Sequence, residues 1–167
     1  SYEDIPDWKY RIDGVLIRKK LCIAWEDNSS ALCYEIENTT DRECTVRIEP
    51  FLKFAPKEDA LEEKKIFSYK EGSISDGNYT MYVHTNGKMQ EKEERWQRLS
   101  YAEDAKDGRP DEGYCGCISQ IIKTIPAGAK EKLEIVFSMN KEVQTAMEME
   151  QGWISHRREV EKQCTLS

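Results

Sequence analysis

The chain has 167 residues, 38% hydrophobic and 34% charged, with a formal net charge of −7. That length suffices for one domain of ordinary size with a real core. The acidic balance argues against a nucleic-acid backbone as partner, which needs clustered Lys and Arg, and no apolar run approaches the ~20 residues needed to span a bilayer.

The chain opens SYEDIPDWKY, without an initiator Met or a signal segment. A strand signal so soon after a lone Ser reads as a domain cut from a longer protein, with surface meant to meet the missing part. The lack of a targeting segment points to the cytoplasm. Trp8 to Ile12, Asp13-Gly14, then Val15 to Trp25 form the first hairpin signal, since Asp-Gly suits a two-residue type I′ turn with positive φ at both positions. The second arm is long for one strand, and a bend is expected near Arg18 to Lys20.

Ala31 to Phe54 organises the rest. Leu32, Tyr34 and Ile36 share one face, because side chains alternate along a strand. Cys44, Val46 and Ile48 share a face in the second run, with Thr45, Arg47 and Glu49 opposite. The polar stretch between them predicts an antiparallel hairpin with one face in a core and one in water. Pro50 ends the regular part of that strand or places it at an edge.

Lys57 to Lys65 is a charged run, either one helical turn or a loop. Ile66 to Lys70 predicts a short strand and Ser75 to Asn78 a turn. Tyr79 to Thr85 alternates again, and Asn86-Gly87 is the strongest short hairpin signal. The returning arm, Lys88 to Leu99, reads as an exposed edge strand with Trp96 turned inward. Tyr101 to Gly116 has no period and reads as a long loop, a common place for function. Ile118 to Ile125 and Lys132 to Met139 are two more strands, joined by a turn at 126–130. From Lys141 the period changes: Val143, Ala146, Met147, Trp153, Ile154 and Val160 fit a helical face, with Asn140 as N-cap. The sum is about eight to ten short strands and one amphipathic helix, an all-β, mainly antiparallel sandwich.

Cys22, Cys33, Cys44, Cys115, Cys117 and Cys164 read as free thiols in a reducing compartment, because strand cysteines serve as small apolar groups. Cys115-Gly-Cys117 is too tight for the usual zinc spacing, and no metal or other cofactor is implied. His84 and His156 lie on different elements, without a nucleophile pattern around them. Asp104, Asp107, Asp111 and Glu112 could hold calcium or act as acid and base on a sugar. Their spacing matches no calcium loop, and Lys106 and Arg109 offset part of the charge, so solvated loop charge is the plainer reading.

The aromatics Trp8, Trp25, Trp96, Tyr69, Tyr79, Tyr82, Tyr101 and Tyr114 are either core or a sugar-binding surface, in which rings stack on the sugar's apolar face and polar groups bind hydroxyls. Trp96, Arg98, Tyr101, Asp104, Asp107 and Arg109 are the candidate carbohydrate-binding set.

Four stretches in this order, PDWKYRIDGVLIRKKLCIA, YEIENTTDRECTVRIEPFLKF, ERWQRLSYAEDAKDGRPDEGY and TIPAGAKEKLEIVFSM, resemble the N-terminal sandwich domain of bacterial and archaeal glycogen debranching enzymes. More broadly they resemble amylo-α-1,6-glucosidase relatives among the six-hairpin glycosidases. The resemblance runs from Trp8 to Met139. It implies a sandwich over residues 1–139, a linker helix over 140–167, and a separate helical toroid carrying the catalytic carboxylates. It further implies an accessory domain that shapes or binds α-glucan and has no catalytic acid of its own. The Gly108-Arg109-Pro110 loop and Cys115-Gly-Cys117 match nothing in that pattern. Two other readings stand beside it. One is a protein-interaction sandwich using the helix face around Val143, Met147 and Trp153. The other is a small enzyme using the loop carboxylates.

Overall fold

The structure, a computed structural model, describes residues 5–24, 27–55, 63–109, 111–140 and 146–165. Its elements in chain order are β1 (Asp7–Ile12), β2 (Val15–Ile23), β3 (Ser29–Asn38), β4 (Cys44–Ile48), β5 (Ser68–Lys70), β6 (Ser73–Ser75), β7 (Thr80–Thr85), β8 (Lys88–Ser100), α1 (Ala102–Lys106), β9 (Glu112–Ile125), β10 (Lys130–Ser138) and α2 (Ala146–Thr165). The fold is all-β and mainly antiparallel, with two sheets and a C-terminal helix, as alternation along the strands predicts. The chain divides into two compact units, residues 1–46, 81–88 and 122–167 in one, residues 47–80 and 89–121 in the other.

In the first unit the strand order is β1-β2-β3-β10-β7. The opening hairpin is as expected: Ile12 pairs with Val15 across a two-residue turn, with φ +47° at Asp13 and +82° at Gly14. A Cβ on Gly14 would lie 2.8 Å from Thr40 Cγ2, so glycine is required there twice over, by φ and by space. β2 runs in unbroken register against both neighbours, and the expected bend at Arg18 to Lys20 does not interrupt it. Trp25 lies outside the described residues.

Register sorts this sheet into rows. On one face Tyr34 and Leu133, and Leu32 and Ile135, sit opposite one another, and Ile36 lies beside them. Ile36, Leu133 and Ile135 have no exposed surface. Each such side chain contributes about 1.5–3 kcal/mol by leaving water. Burial, then the neighbouring Tyr10, pushes the Tyr34 hydroxyl up to about 12.

The other face carries four rows: Arg11–Leu16–Glu37–Lys130, then Lys9–Arg18–Glu35–Lys132, then Asp7–Lys20–Cys33–Glu134, then Cys22–Ala31–Val136. Helix α2 covers the last of these. Met149, 1% exposed, packs with Cys22, Ala24, Ala31 and Val136, and Cys33 joins the edge of that cluster. The expectation that this face of β3 meets water therefore fails at its Ser29 end, where Ala31 is fully buried.

Two hairpin expectations are also corrected. β3 does not pair with β4: it lies between β2 and β10, and β4 belongs to a three-stranded sheet of order β4-β9-β8. The polar stretch after β3 is a crossover pinned by Asn38. That buried amide donates to the carbonyls of Arg42, Ile125 and Pro126, and its oxygen accepts from the backbone and hydroxyl of Thr40. Asn86-Gly87 likewise joins strands of different sheets. Asn86 uses its side chain as a strand residue uses its backbone, donating to the Lys132 carbonyl and accepting from the Glu134 N–H.

The buried residues of the second unit include Phe54, Phe67, Ile74, Ile118 and Ile121. Phe67 stands edge-on to Phe54 at 5.4 Å and tilted against Trp96 at 5.1 Å. Leu52 and Gly116 exchange backbone hydrogen bonds beside them. Asp76 closes the turn after β6: its side chain has no exposed surface, accepts from the N–H groups of Asn78 and Tyr79, and meets Lys65 at 3.3 Å. Most of the charged run 57–65 lies outside the described residues.

The terminal helix begins, as described, at Ala146, and Val143 lies outside the described residues. The face that docks is not the one expected. Met149 is the anchor and Trp153, one turn on, is half-buried, whereas Met147 is 65% and Ile154 39% exposed. Asn140 sends its amide to Asp27 Oδ1.

Candidate functional site

The expected long loop is shorter than its composition implies. AEDAK, all helix-tolerant residues, forms α1 directly after β8, and β9 already starts at Glu112. Asp104, Asp107 and Arg109 are brought together by the way α1 ends. Gly108, with φ +69°, donates to the Ala105 carbonyl, and Arg109 N–H donates to the Asp104 carbonyl. This is a Schellman stop, which needs a left-handed residue just past the helix and finds it in glycine. It folds Arg109 back over the helix it has just left. Arg109 Nη2 then lies 2.8 Å from Asp104 Oδ1 and 2.7 Å from Asp107 Oδ2.

The remaining residues of the set point elsewhere. Arg98, well exposed on β8, pairs with Glu112 on β9. Trp96 is half-buried, its ring against Phe67 and its Nε1–H donated to Glu94 at 2.8 Å. Tyr101 precedes α1 and its hydroxyl lies 3.4 Å from Cys115 Sγ. That contact first, and burial second, push the Tyr101 hydroxyl up to about 12. Lys53 Nζ stands over the ring at 5.9 Å. The two aromatic rings therefore belong to packing, and the surface of the site is polar: two carboxylates, Arg109, and the Arg98–Glu112 pair.

Such a surface can exchange hydrogen bonds with hydroxyl-rich molecules. Asp104 and Asp107 each keep one oxygen outside the ion pairs described, which leaves acceptor capacity. Among the described residues no group of three or more His, Cys, Asp or Glu is gathered to hold a metal. His84 is exposed on β7, opposite Val136 of β10. Cys22, Cys33, Cys44, Cys115 and Cys117 are free thiols. Among the described residues no helix is long and apolar enough to cross a membrane.

Residues 1–131 match the family described as glycogen debranching enzyme N terminal. The chain belongs to that family. The match covers the second unit, the first unit as far as residue 131, and every residue of the candidate site, and it supports the resemblance read from the four sequence stretches. No match was found among curated proteins. α2 lies beyond the matched residues.

What sequence reasoning missed here is α1 and its stop. The signal was present, because a Gly following AEDAKD is the usual mark of a helix end. The lack of an apolar period hid it, since a five-residue helix is too short to show one.

Proposed function

We propose that the chain is a non-catalytic accessory domain of a debranching-type glycoside hydrolase, working in the cytoplasm beside a helical catalytic domain in the same protein. Its proposed task is to contact or shape α-glucan. The observation that carries this reading is the family match over residues 1–131. The candidate site supports it chemically, because Asp104, Asp107, Arg98 and Arg109 present donors and acceptors suited to sugar hydroxyls. The exposed Met147 and Ile154 of α2 favour the second reading, a surface for another protein domain.

Affinity electrophoresis in gels containing glycogen tests the first reading. The chain should be retarded, and Arg109→Ala should migrate faster than the parent. Unretarded migration would remove glucan contact from the proposal. Release of reducing sugar from a branched maltooligosaccharide by the chain alone would remove the non-catalytic assignment.

A further inference from the structure

We propose that the part of the first sheet left uncovered by α2 is a binding site for a phosphorylated sugar. The rows Arg11–Leu16–Glu37–Lys130 and Lys9–Arg18–Glu35–Lys132 lie side by side on one face. All their residues but Lys132 border a cleft of about 470 Å³, its charged lining being Lys9, Arg11, Arg18, Glu35, Glu37 and Lys130. That volume lies in the about 300–1,000 Å³ range of small-molecule sites.

The charges of the cleft do not cancel. Four cations face two carboxylates, on a chain whose net charge is −7. Arg18 is occupied by Asp7 at 2.7 Å and by Glu35 at 4.0 Å. Lys9, Arg11 and Lys130 form no ion pair among the described residues, although Lys130 sits opposite Glu37 in register. An ordinary solvated sheet face pairs opposite charges across strands. Here Lys9, Arg11 and Lys130 gather with Glu37 at one place, and with Asp7 counted the cations still outnumber the carboxylates by one.

Geometry lets them converge. Arg11 on β1 and Lys130 on β10 are three strand steps apart, about 14 Å at the usual strand spacing. Both side chains are long enough to lean inward over the strands between them and meet one compact anion. Glu35 and Glu37 restrict what that anion can be. They repel a bare anion but accept hydroxyl hydrogens, and Leu16 adds an apolar floor. A phosphate monoester carried on a hexose satisfies both demands. A neutral sugar leaves the cations unused, and inorganic phosphate leaves the carboxylates opposed.

The test is calorimetric titration of the 167-residue chain at low ionic strength with glucose 6-phosphate, inorganic phosphate and glucose. Saturable binding of glucose 6-phosphate is expected, at least tenfold tighter than inorganic phosphate, with no saturation by glucose. Arg11→Gln and Lys130→Gln should each weaken it about tenfold, the scale of one charge-assisted hydrogen bond. Both residues are exposed and outside any ion pair among the described residues, so circular dichroism should match the parent. Glu37→Gln should weaken glucose 6-phosphate but not inorganic phosphate. No saturation by glucose 6-phosphate, equal affinity for inorganic phosphate, or unchanged binding in both cation variants would each overturn the proposal. It stands apart from glucan contact: loss of glycogen retardation in Arg109→Ala leaves it intact, and loss of sugar-phosphate binding in Arg11→Gln leaves glucan contact intact.

Discussion

Trp96 and Gly116 sit on neighbouring strands so close together that a Cβ on Gly116 would lie 2.9 Å from Trp96 Cη2 and 2.6 Å from Phe67 Cε2. The glycine is there because two rings fill its side-chain space. Gly116→Ala should therefore destabilise the chain by about 1–3 kcal/mol through overpacking. The cost should fall when Trp96→Leu is combined with it, since one of the two rings that crowd the added methyl is then gone. Urea unfolding of the two single variants and the pair measures this coupling, and additive costs would contradict the contact.

Why some of this was legible in advance and some was not follows from where the deciding partners lie. Asp13-Gly14 was readable because a two-residue turn is decided locally, by which residues tolerate positive φ. Cys44, Val46 and Ile48 turn inward, as alternation required, and Thr45 and Arg47 turn out. The partner of β4 was not readable. Alternation states which side chains share a face but not which strand lies alongside, so the stretch after Asn38 and the Asn86-Gly87 pair were both mistaken for hairpins. Each has an asparagine whose side chain serves carbonyls or N–H groups far along the chain. The candidate site divides in the same way. Asp104, Asp107 and Arg109 meet because they are near in sequence, whereas Trp96 and Tyr101 are claimed by Phe67 and Cys115, contacts set by tertiary packing.

Asn38 gives the sharpest test of the crossover. Its amide serves three carbonyls and its oxygen serves Thr40, all from a position with no exposed surface. Asn38→Ala leaves those groups without their partner, at about 1–3 kcal/mol for each buried group that water cannot reach. Some will be rehydrated at the surface, so a total of roughly 2–4 kcal/mol is expected. Thermal unfolding should show it, and a loss below half a kcal/mol would mean that Asn38 does not hold the crossover.

Asp76 should make stability pH-dependent in acid. Burial raises its carboxyl, but the N–H groups of Tyr79 and Asn78, and then Lys65, outweigh that and hold it below the ordinary carboxylate value. A carboxyl lowered in the folded state adds stability above its unfolded value, near 4, and loses it as pH falls through the lower folded value. The stability difference between the parent and Asp76→Asn should therefore be constant above about pH 5 and shrink as pH falls below about 4. Urea midpoints of both proteins from pH 7 to pH 2 provide the measurement. A difference that does not change with pH would show that the carboxylate charge is not what the turn uses.

The attachment of α2 can be decided by magnitude. Among the described residues the helix meets the sheet face through Met149, clustered with Cys22, Ala31 and Val136, and through a Lys20–Glu150 ion pair at 3.9 Å. The ion pair is partly exposed at both ends, and such pairs are worth about 0–1 kcal/mol. Truncating a buried methionine costs about 2–5 kcal/mol. Met149→Ala should therefore destabilise strongly, while Glu150→Ala should be nearly neutral. Because Met149 covers Cys22, which is 4% exposed, Met149→Ala should also speed alkylation of the Cys22 thiol under native conditions, followed by peptide mass mapping. Equal effects of the two substitutions would place the helix contact elsewhere. Slow, unchanged alkylation in the methionine variant would show that the cluster stays closed without it.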